Sequence, residues 1–195
     1  PLVADISSCV LSEAMDVSKF GLLYAGAQKN IGPAGLTVVI IREDLIGKAD
    51  AAVPTMLNYQ IHADNGSMYN TPPTYSIYIC KLVLEWLKEL GGVNAIEKIN
   101  REKAKILYDF LDESSMFRGT VVPEDRSLMN VCFVMQPEYE ELAPKFLEYA
   151  AEHGCVGIKG HRLVGGFRAS CYNALSLEDI RALTECMKSF EKKFA

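Results

Sequence analysis

Three short apolar runs constrain this chain most: Leu2-Val3-Ala4-Asp5-Ile6, Phe20-Gly21-Leu22-Leu23-Tyr24-Ala25 and Gly35-Leu36-Thr37-Val38-Val39-Ile40-Ile41. They are continuous rather than alternating, and the third is rich in β-branched side chains. Each therefore reads as a strand buried on both faces, which calls for an α/β sheet. None approaches the roughly 18 apolar residues of a membrane span. Between the second and third lies Gly26-Ala27-Gln28-Lys29-Asn30-Ile31-Gly32-Pro33-Ala34-Gly35, whose glycines and proline make it a shaped loop. Asp5 stands at the C-terminal end of the first strand, where α/β sheets build their sites. The polar pair Ser7-Ser8 follows it.

The pattern then turns helical. Apolar residues at 79, 82, 83, 86, 87 and 90 fall on one face of a helix stopped by Gly91-Gly92. Trp86 lies on that face and is expected in the core. Thr71, before Pro72-Pro73, reads as an N-cap. A second helix is expected over 93–112, with the stripe Arg101-Glu102-Lys103-Ala104-Lys105 as a solvated face. Strands follow at 119–122 and 130–135, then a helix over 139–153 stopped by Gly154. Two more strands, 155–159 and 167–172, flank the turn-rich segment 159–166. Ser176-Leu177-Glu178-Asp179 forms a capping box that opens a last helix, with Ile180, Leu183, Met187, Phe190 and Phe194 inward. Residues 91–195 thus read as a self-contained α+β domain, and residues 1–90 as strands that need partners.

Composition narrows the function class. Lys plus Arg is 20 against 25 Asp plus Glu, a net charge of −5, which argues against a general nucleic-acid binder. The six cysteines include no C-x-x-C pair and no Cys/His cluster suited to zinc. They read as reduced, mostly buried thiols of a cytoplasmic protein. His62 and His153 read as surface residues.

Lys29 is the residue most open to a chemical reading. The bland alternative is an ordinary loop lysine. The sharper one is a Schiff-base lysine, which needs a partly desolvated amine and a carboxylate partner for a cofactor pyridinium, and Asp5 is placed to be that carboxylate. The loop is not a Walker A motif, because the G-x-x-x-x-G-K-[ST] spacing is missing.

Four segments carry a resemblance. Asp5-Ile6-Ser7-Ser8, Tyr24 through Leu36, Asn70-Thr71-Pro72-Pro73-Thr74, and Lys159-Gly160-His161-Arg162 with Gly165-Gly166-Phe167-Arg168-Ala169-Ser170 occur in order and span essentially the whole chain. Together they resemble the phosphoserine aminotransferases, class-V, fold-type I enzymes that use pyridoxal 5′-phosphate. The resemblance implies that residues 1–90 are the C-terminal part of the cofactor-binding large domain, with its mixed sheet, and that 91–195 are the small domain. It implies Lys29 as the catalytic Schiff-base lysine, Asp5 against the pyridine nitrogen, and Gln28 on the cofactor phosphate. Asn70 and Thr71 would reach the cofactor phosphate of a neighbouring subunit, in a homodimer with shared sites. Arg168 would clamp the substrate α-carboxylate, and His161 and Arg162 would bind the substrate phosphate across the dimer. The implied reaction exchanges an amino group between glutamate and 3-phosphohydroxypyruvate in serine biosynthesis. Transamination of 4-phosphohydroxythreonine in vitamin B6 synthesis is a possible second reaction. The implied protein involves no metal, nucleic acid or membrane. The matching motifs begin about halfway along a typical family member, which runs to two full domains. The chain is therefore expected to be a C-terminal portion, inactive or nearly so alone. The alternative is an inactive piece that acts only as a scaffold or dimerisation module.

Overall fold

A computed structural model describes residues 1–195, which divide into two units, Pro1–Leu90 and Gly91–Ala195. No helix is long and apolar enough to cross a membrane.

In the first unit, β1 (Val3–Asp5), β2 (Leu22–Gly26) and β3 (Thr37–Ile41) form one sheet in that order. β1 and β2 run parallel, with Asp5 opposite Tyr24, and β3 returns antiparallel, with Thr37 opposite Gly26. The short helix α1 (Tyr59–Asp64) and the long α2 (Thr74–Glu89) follow. The core gathers Leu23 and Ala25 of β2 with Ile6, Val10, Ala27, Ile31 and Cys80. Burial is narrower than the continuous apolar runs suggest: Val3 is 55% exposed and Ile40 46%. The reason is position, since β1 and β3 are the two edges of a three-stranded sheet and only β2 is flanked on both sides.

α2 departs from expectation in the same way. Its buried positions are Ser76, Cys80 and Leu87, whereas Leu82 and Trp86 are each 40% exposed. Gly32 lies against the Cys80 backbone, so this small core meets α2 through Cys80 and leaves the Leu82–Trp86 stripe outside. Thr71 is not the N-cap, a position that falls to Pro73. The chain starts the helix on proline's fixed φ rather than on a side-chain cap.

In the second unit, β4 (Phe117–Gly119), β5 (Asn130–Met135) and β6 (Phe167–Ser170) form an antiparallel sheet packed with α3 (Val93–Glu113), α4 (Ala143–Glu152) and α5 (Leu177–Phe194). β5 alternates cleanly, with Val131, Phe133 and Met135 inward. Phe117 is the hub of an aromatic core, with ring centroids 4.8 Å from Phe146, 6.1 Å from Phe110, 6.2 Å from Phe133 and 6.5 Å from both Phe167 and Phe190. Such tilted and edge-to-face pairs add to the burial energy of the rings. The capping box forms as read, with Asp179 N–H on the Ser176 hydroxyl at 3.1 Å and Ser176 N–H on Asp179 Oδ2 at 3.0 Å. Phe194 is only partly buried.

Several boundaries shift. The strand expected at 119–122 lies at 117–119, where Phe117 supplies the core side chain and a 3-10 turn at Pro123–Asp125 follows. The helix expected over 139–153 starts as a 3-10 helix (Pro137–Leu142) and is α-helical over α4, Ala143–Glu152. Residues 155–159 form no strand and keep one bridge, Lys159 to Phe167. Gly154 and Gly157, at φ of +80° and +74°, bend the backbone out of extended geometry there.

The largest correction concerns Lys103, read as solvated and found fully buried on α3. Its ammonium donates to the carbonyls of Cys171 (3.1 Å), Tyr172 (2.9 Å) and Leu175 (3.0 Å). It thereby holds the loop that leaves β6. All six cysteines are free, three of them buried and three half-buried.

Candidate functional site

The first unit assembles one group of polar side chains where β1 and β2 end. Asp5 is the last residue of β1, and Ser7 N–H donates to its Oδ1 at 2.8 Å. The buried Ser7 hydroxyl accepts Gly26 N–H at 2.9 Å, which joins the end of β1 to the end of β2. Ile6 N–H continues the parallel pairing to the Tyr24 carbonyl at 2.8 Å. The loop after β2 closes on itself, with Ala27 N–H on Leu36 O at 2.9 Å and Gly32 N–H on Ala27 O at 3.0 Å. Buried Asn30 anchors it by donating to Val10 O at 2.6 Å.

Lys29 projects from that closed loop and donates from Nζ to the Ser8 hydroxyl at 2.9 Å. Its side chain is exposed, so the expected desolvation is not met within this chain. The hydrogen bonds from Ser7 hold the Asp5 carboxyl below its ordinary range, against the effect of burial. The positive charge of Lys29 acts in the same direction. An ionised carboxylate and a primary amine thus share one sheet end. Gln28 is exposed, and its amide lies over Gly26: a Cβ on that glycine would sit 2.6 Å from Gln28 Oε1. Asn70 and Thr71 are exposed in the stretch between α1 and α2, where Asn70 Nδ2 donates to the Thr71 carbonyl at 3.3 Å.

This set fits pyridoxal phosphate on the chemistry of its donors. A pyridinium needs a carboxylate that stays ionised, and Asp5 is held so. The carbonyl of the cofactor needs an accessible amine, and Lys29 offers one held only by a serine hydroxyl.

The second unit carries the other candidates on β6 and the loop before it. Arg168 lies opposite Cys132, and its N–H donates to the Ile158 carbonyl at 2.8 Å. Its guanidinium Nε is buried with no hydrogen-bond partner. Buried donors are nearly always paired, so such an atom marks a place where a ligand can add a bond. His161 and Arg162 stand exposed in a tight turn. Gly160 N–H meets Gly166 O at 2.9 Å, and Gly165 N–H meets the His161 carbonyl at 2.8 Å. A Cβ on Gly160 would fall 2.0 Å from the Gly165 carbonyl oxygen, so only glycine fits. His161 Nδ1 accepts Leu163 N–H at 3.3 Å, which leaves Nε2 to carry the proton of the neutral ring.

Two contributors escaped the sequence reading. Ser7 and Ser8 take their roles only in the fold, where Ser7 ties the two strand ends and Ser8 holds the Lys29 amine. A polar pair directly after a buried strand was the available signal. Lys103 lies on one helical face with Ile96, Asn100, Ala104 and Leu107, and all five are buried.

The family model described as aminotransferase class-V matches residues 1–183. The chain is 56% identical over 192 residues to the phosphoserine aminotransferase of Porphyromonas gingivalis, covering 98% of this chain and 53% of that protein. A solved phosphoserine aminotransferase studied for radiation damage of its Schiff base is 52% identical with a TM-score of 0.93, covering 99% of this chain and 53% of that one. The pyridoxal-phosphate-bound phosphoserine aminotransferase of Trichomonas vaginalis is 41% identical with a TM-score of 0.90, covering 96% and 53%. The chain therefore spans about half the length of the relatives it matches.

Proposed function

The chain belongs to the class-V aminotransferase family, and from that premise we propose that it carries catalytic and substrate-binding parts of a phosphoserine aminotransferase. The reaction is exchange of an amino group between glutamate and 3-phosphohydroxypyruvate, giving phosphoserine and 2-oxoglutarate for serine biosynthesis. The same groups suit 4-phosphohydroxythreonine as a second phosphorylated substrate. The observation that carries the reading is the pairing, at adjoining strand ends, of an ionised Asp5 with an available Lys29.

When bound, pyridoxal phosphate supplies an electron sink for charge that develops at the substrate α-carbon. The Asp5 carboxylate would accept a hydrogen bond from the protonated ring nitrogen and keep its positive charge in place. Lys29 Nζ takes the α-proton of the amino donor and returns one to the acceptor in the second half of the exchange. Gln28 donates to the cofactor phosphate. Asn70 and Thr71, remote from Lys29 in sequence and exposed, serve the site of a second copy in a homodimer. Arg168 offers a planar guanidinium to the substrate α-carboxylate, and His161 and Arg162 bind the substrate phosphate. A substrate without phosphate leaves those donors unpaired and is discriminated against. Six free thiols suit the cytoplasm.

The test is to mix the chain with pyridoxal phosphate, reduce with borohydride and map the adduct by peptide mass spectrometry. Selective labelling of Lys29 is the expected result. Labelling scattered over the other lysines would mean that this chain serves only as a scaffold.

A further inference from the structure

We propose that Lys159 is a third phosphate-binding residue and sets the preference of the site for a dianion. This inference rests on the reading of His161 and Arg162 as the phosphate site. The three cationic or protonatable side chains line one cavity of about 310 Å³, together with Pro144 and Leu147 of α4. No carboxylate lines that cavity, although the chain as a whole carries a net charge of −5. Lys159 is exposed and forms no ion pair with an acidic side chain. Its charge is therefore available to a ligand.

The backbone under Lys159 is fixed from two sides. Lys159 bridges Phe167, and the next residue, Gly160, is locked by its bond to Gly166 O at 2.9 Å. The strand that carries Arg168 is tied to the preceding residue, Ile158, at 2.8 Å. Only the flexible side chain of Lys159 remains to be ordered on binding, which limits the entropic cost. The division of labour follows from side-chain chemistry. A guanidinium and an imidazole N–H fix the orientation of a phosphate, whereas an ammonium supplies a compact charge with little directional demand. The contribution of Lys159 should therefore weaken with added salt.

The experiment titrates the full isotope-labelled chain with O-phospho-L-serine, and with L-serine as the control, following amide shifts at low ionic strength. We expect Lys159→Gln to weaken phosphoserine binding about 5- to 10-fold, the order of one charge-assisted contact. Lys159→Arg should restore it, and L-serine binding should not change. If Lys159→Gln binds as the parent does while Arg162→Gln binds poorly, Lys159 has no such role and the phosphate site stands. If neither substitution matters, or if the parent shows no preference for phosphoserine over serine, both this inference and the assignment of His161 and Arg162 fail together.

Discussion

The Ser7 hydroxyl accepts the Gly26 N–H at 2.9 Å, and this bond ties the strand end that carries Asp5 to the strand end that leads to Lys29. Ser7 also donates its own N–H to Asp5 Oδ1 at 2.8 Å. One buried serine thereby sets both the spacing of the two chemical groups and the charge state of one of them.

Ser7→Ala should raise the pKa of Asp5 back toward the ordinary carboxylate range, because the side-chain bond from Ser7 is the largest cause of its depression. The sign for stability follows. Depression of a folded-state carboxyl contributes stability above the unfolded pKa of 3.8 that is lost as pH falls through the folded value. The variant should therefore lose part of its acid dependence below pH 3.8. It should also lose about 1–3 kcal/mol at neutral pH from the orphaned Gly26 N–H. Carbon-detected titration of Asp5 and urea unfolding measure the two effects. An unmoved Asp5 would show that Ser7 does not govern its charge.

Lys103→Met keeps the apolar stem and removes the donor to three carbonyls. The loop Cys171–Leu175 should loosen, with a loss of roughly 2–4 kcal/mol, since buried acceptors are left unpaired. Hydrogen exchange should locate the loosening in residues 171–175 rather than across α3. Uniform destabilisation of the unit would mean that Lys103 acts only by filling space.

How far the residues announce this fold depends on the range over which a signal acts. The capping box at Ser176 and Asp179 and the alternation of β5 are local, and both are legible because the deciding contacts lie within a few residues. The two-edged sheet of the first unit is not, because an apolar run says that a strand wants burial but not that neighbours are present on both sides. Trp86 follows the same logic: periodicity puts it on an apolar face, and the small core around Cys80 leaves that face uncovered. The loop Gly26–Gly35 could be seen as shaped, but the serines that organise its approach to Asp5 act across 19 and 21 positions of separation. Lys103 was hidden because charge normally outweighs periodicity, and here three backbone carbonyls from a distant loop reverse that balance.

The second unit should lose stability steeply above pH 9. Burial pushes Cys171 and Cys186 up to about 11 from 9.0, and Tyr108 up to about 12 from 10.0. In each case the unfolded chain releases its proton first, so stability is complete below the unfolded pKa and declines as pH rises toward the folded one. Burial depresses Lys103, which has the opposite sign and adds stability as pH rises toward 10.5. The Cys155 thiol is also pushed up by burial, so four acids oppose one base and the net slope is negative. Melting temperature between pH 8 and 11.5 measures it, and Tyr108→Phe should flatten the portion above pH 10. A melting temperature that holds level to pH 11 would contradict the burial of these groups.

Arg168 offers a test in which stability and binding should move in opposite directions. Its Nε is buried without a partner, and an unpaired buried donor costs about 1–3 kcal/mol. A lysine at this position on β6 keeps a positive charge but brings no Nε, so Arg168→Lys should leave the fold as stable as before, or slightly more so. The backbone bond from Arg168 N–H to the Ile158 carbonyl is unaffected by the exchange. Glutamate affinity should fall about 10- to 100-fold, because an ammonium cannot make the paired contacts of a guanidinium fork with a carboxylate. Urea midpoint and glutamate dissociation constant, read on the same preparation, decide the matter. If the variant unfolds more easily and binds glutamate as well as the parent, Arg168 holds the sheet rather than the substrate. The orphaned nitrogen would then be a cost of packing. If stability holds and affinity drops, the unmet donor is the part of β6 reserved for the substrate, and the small α+β unit reads an α-carboxylate through Arg168.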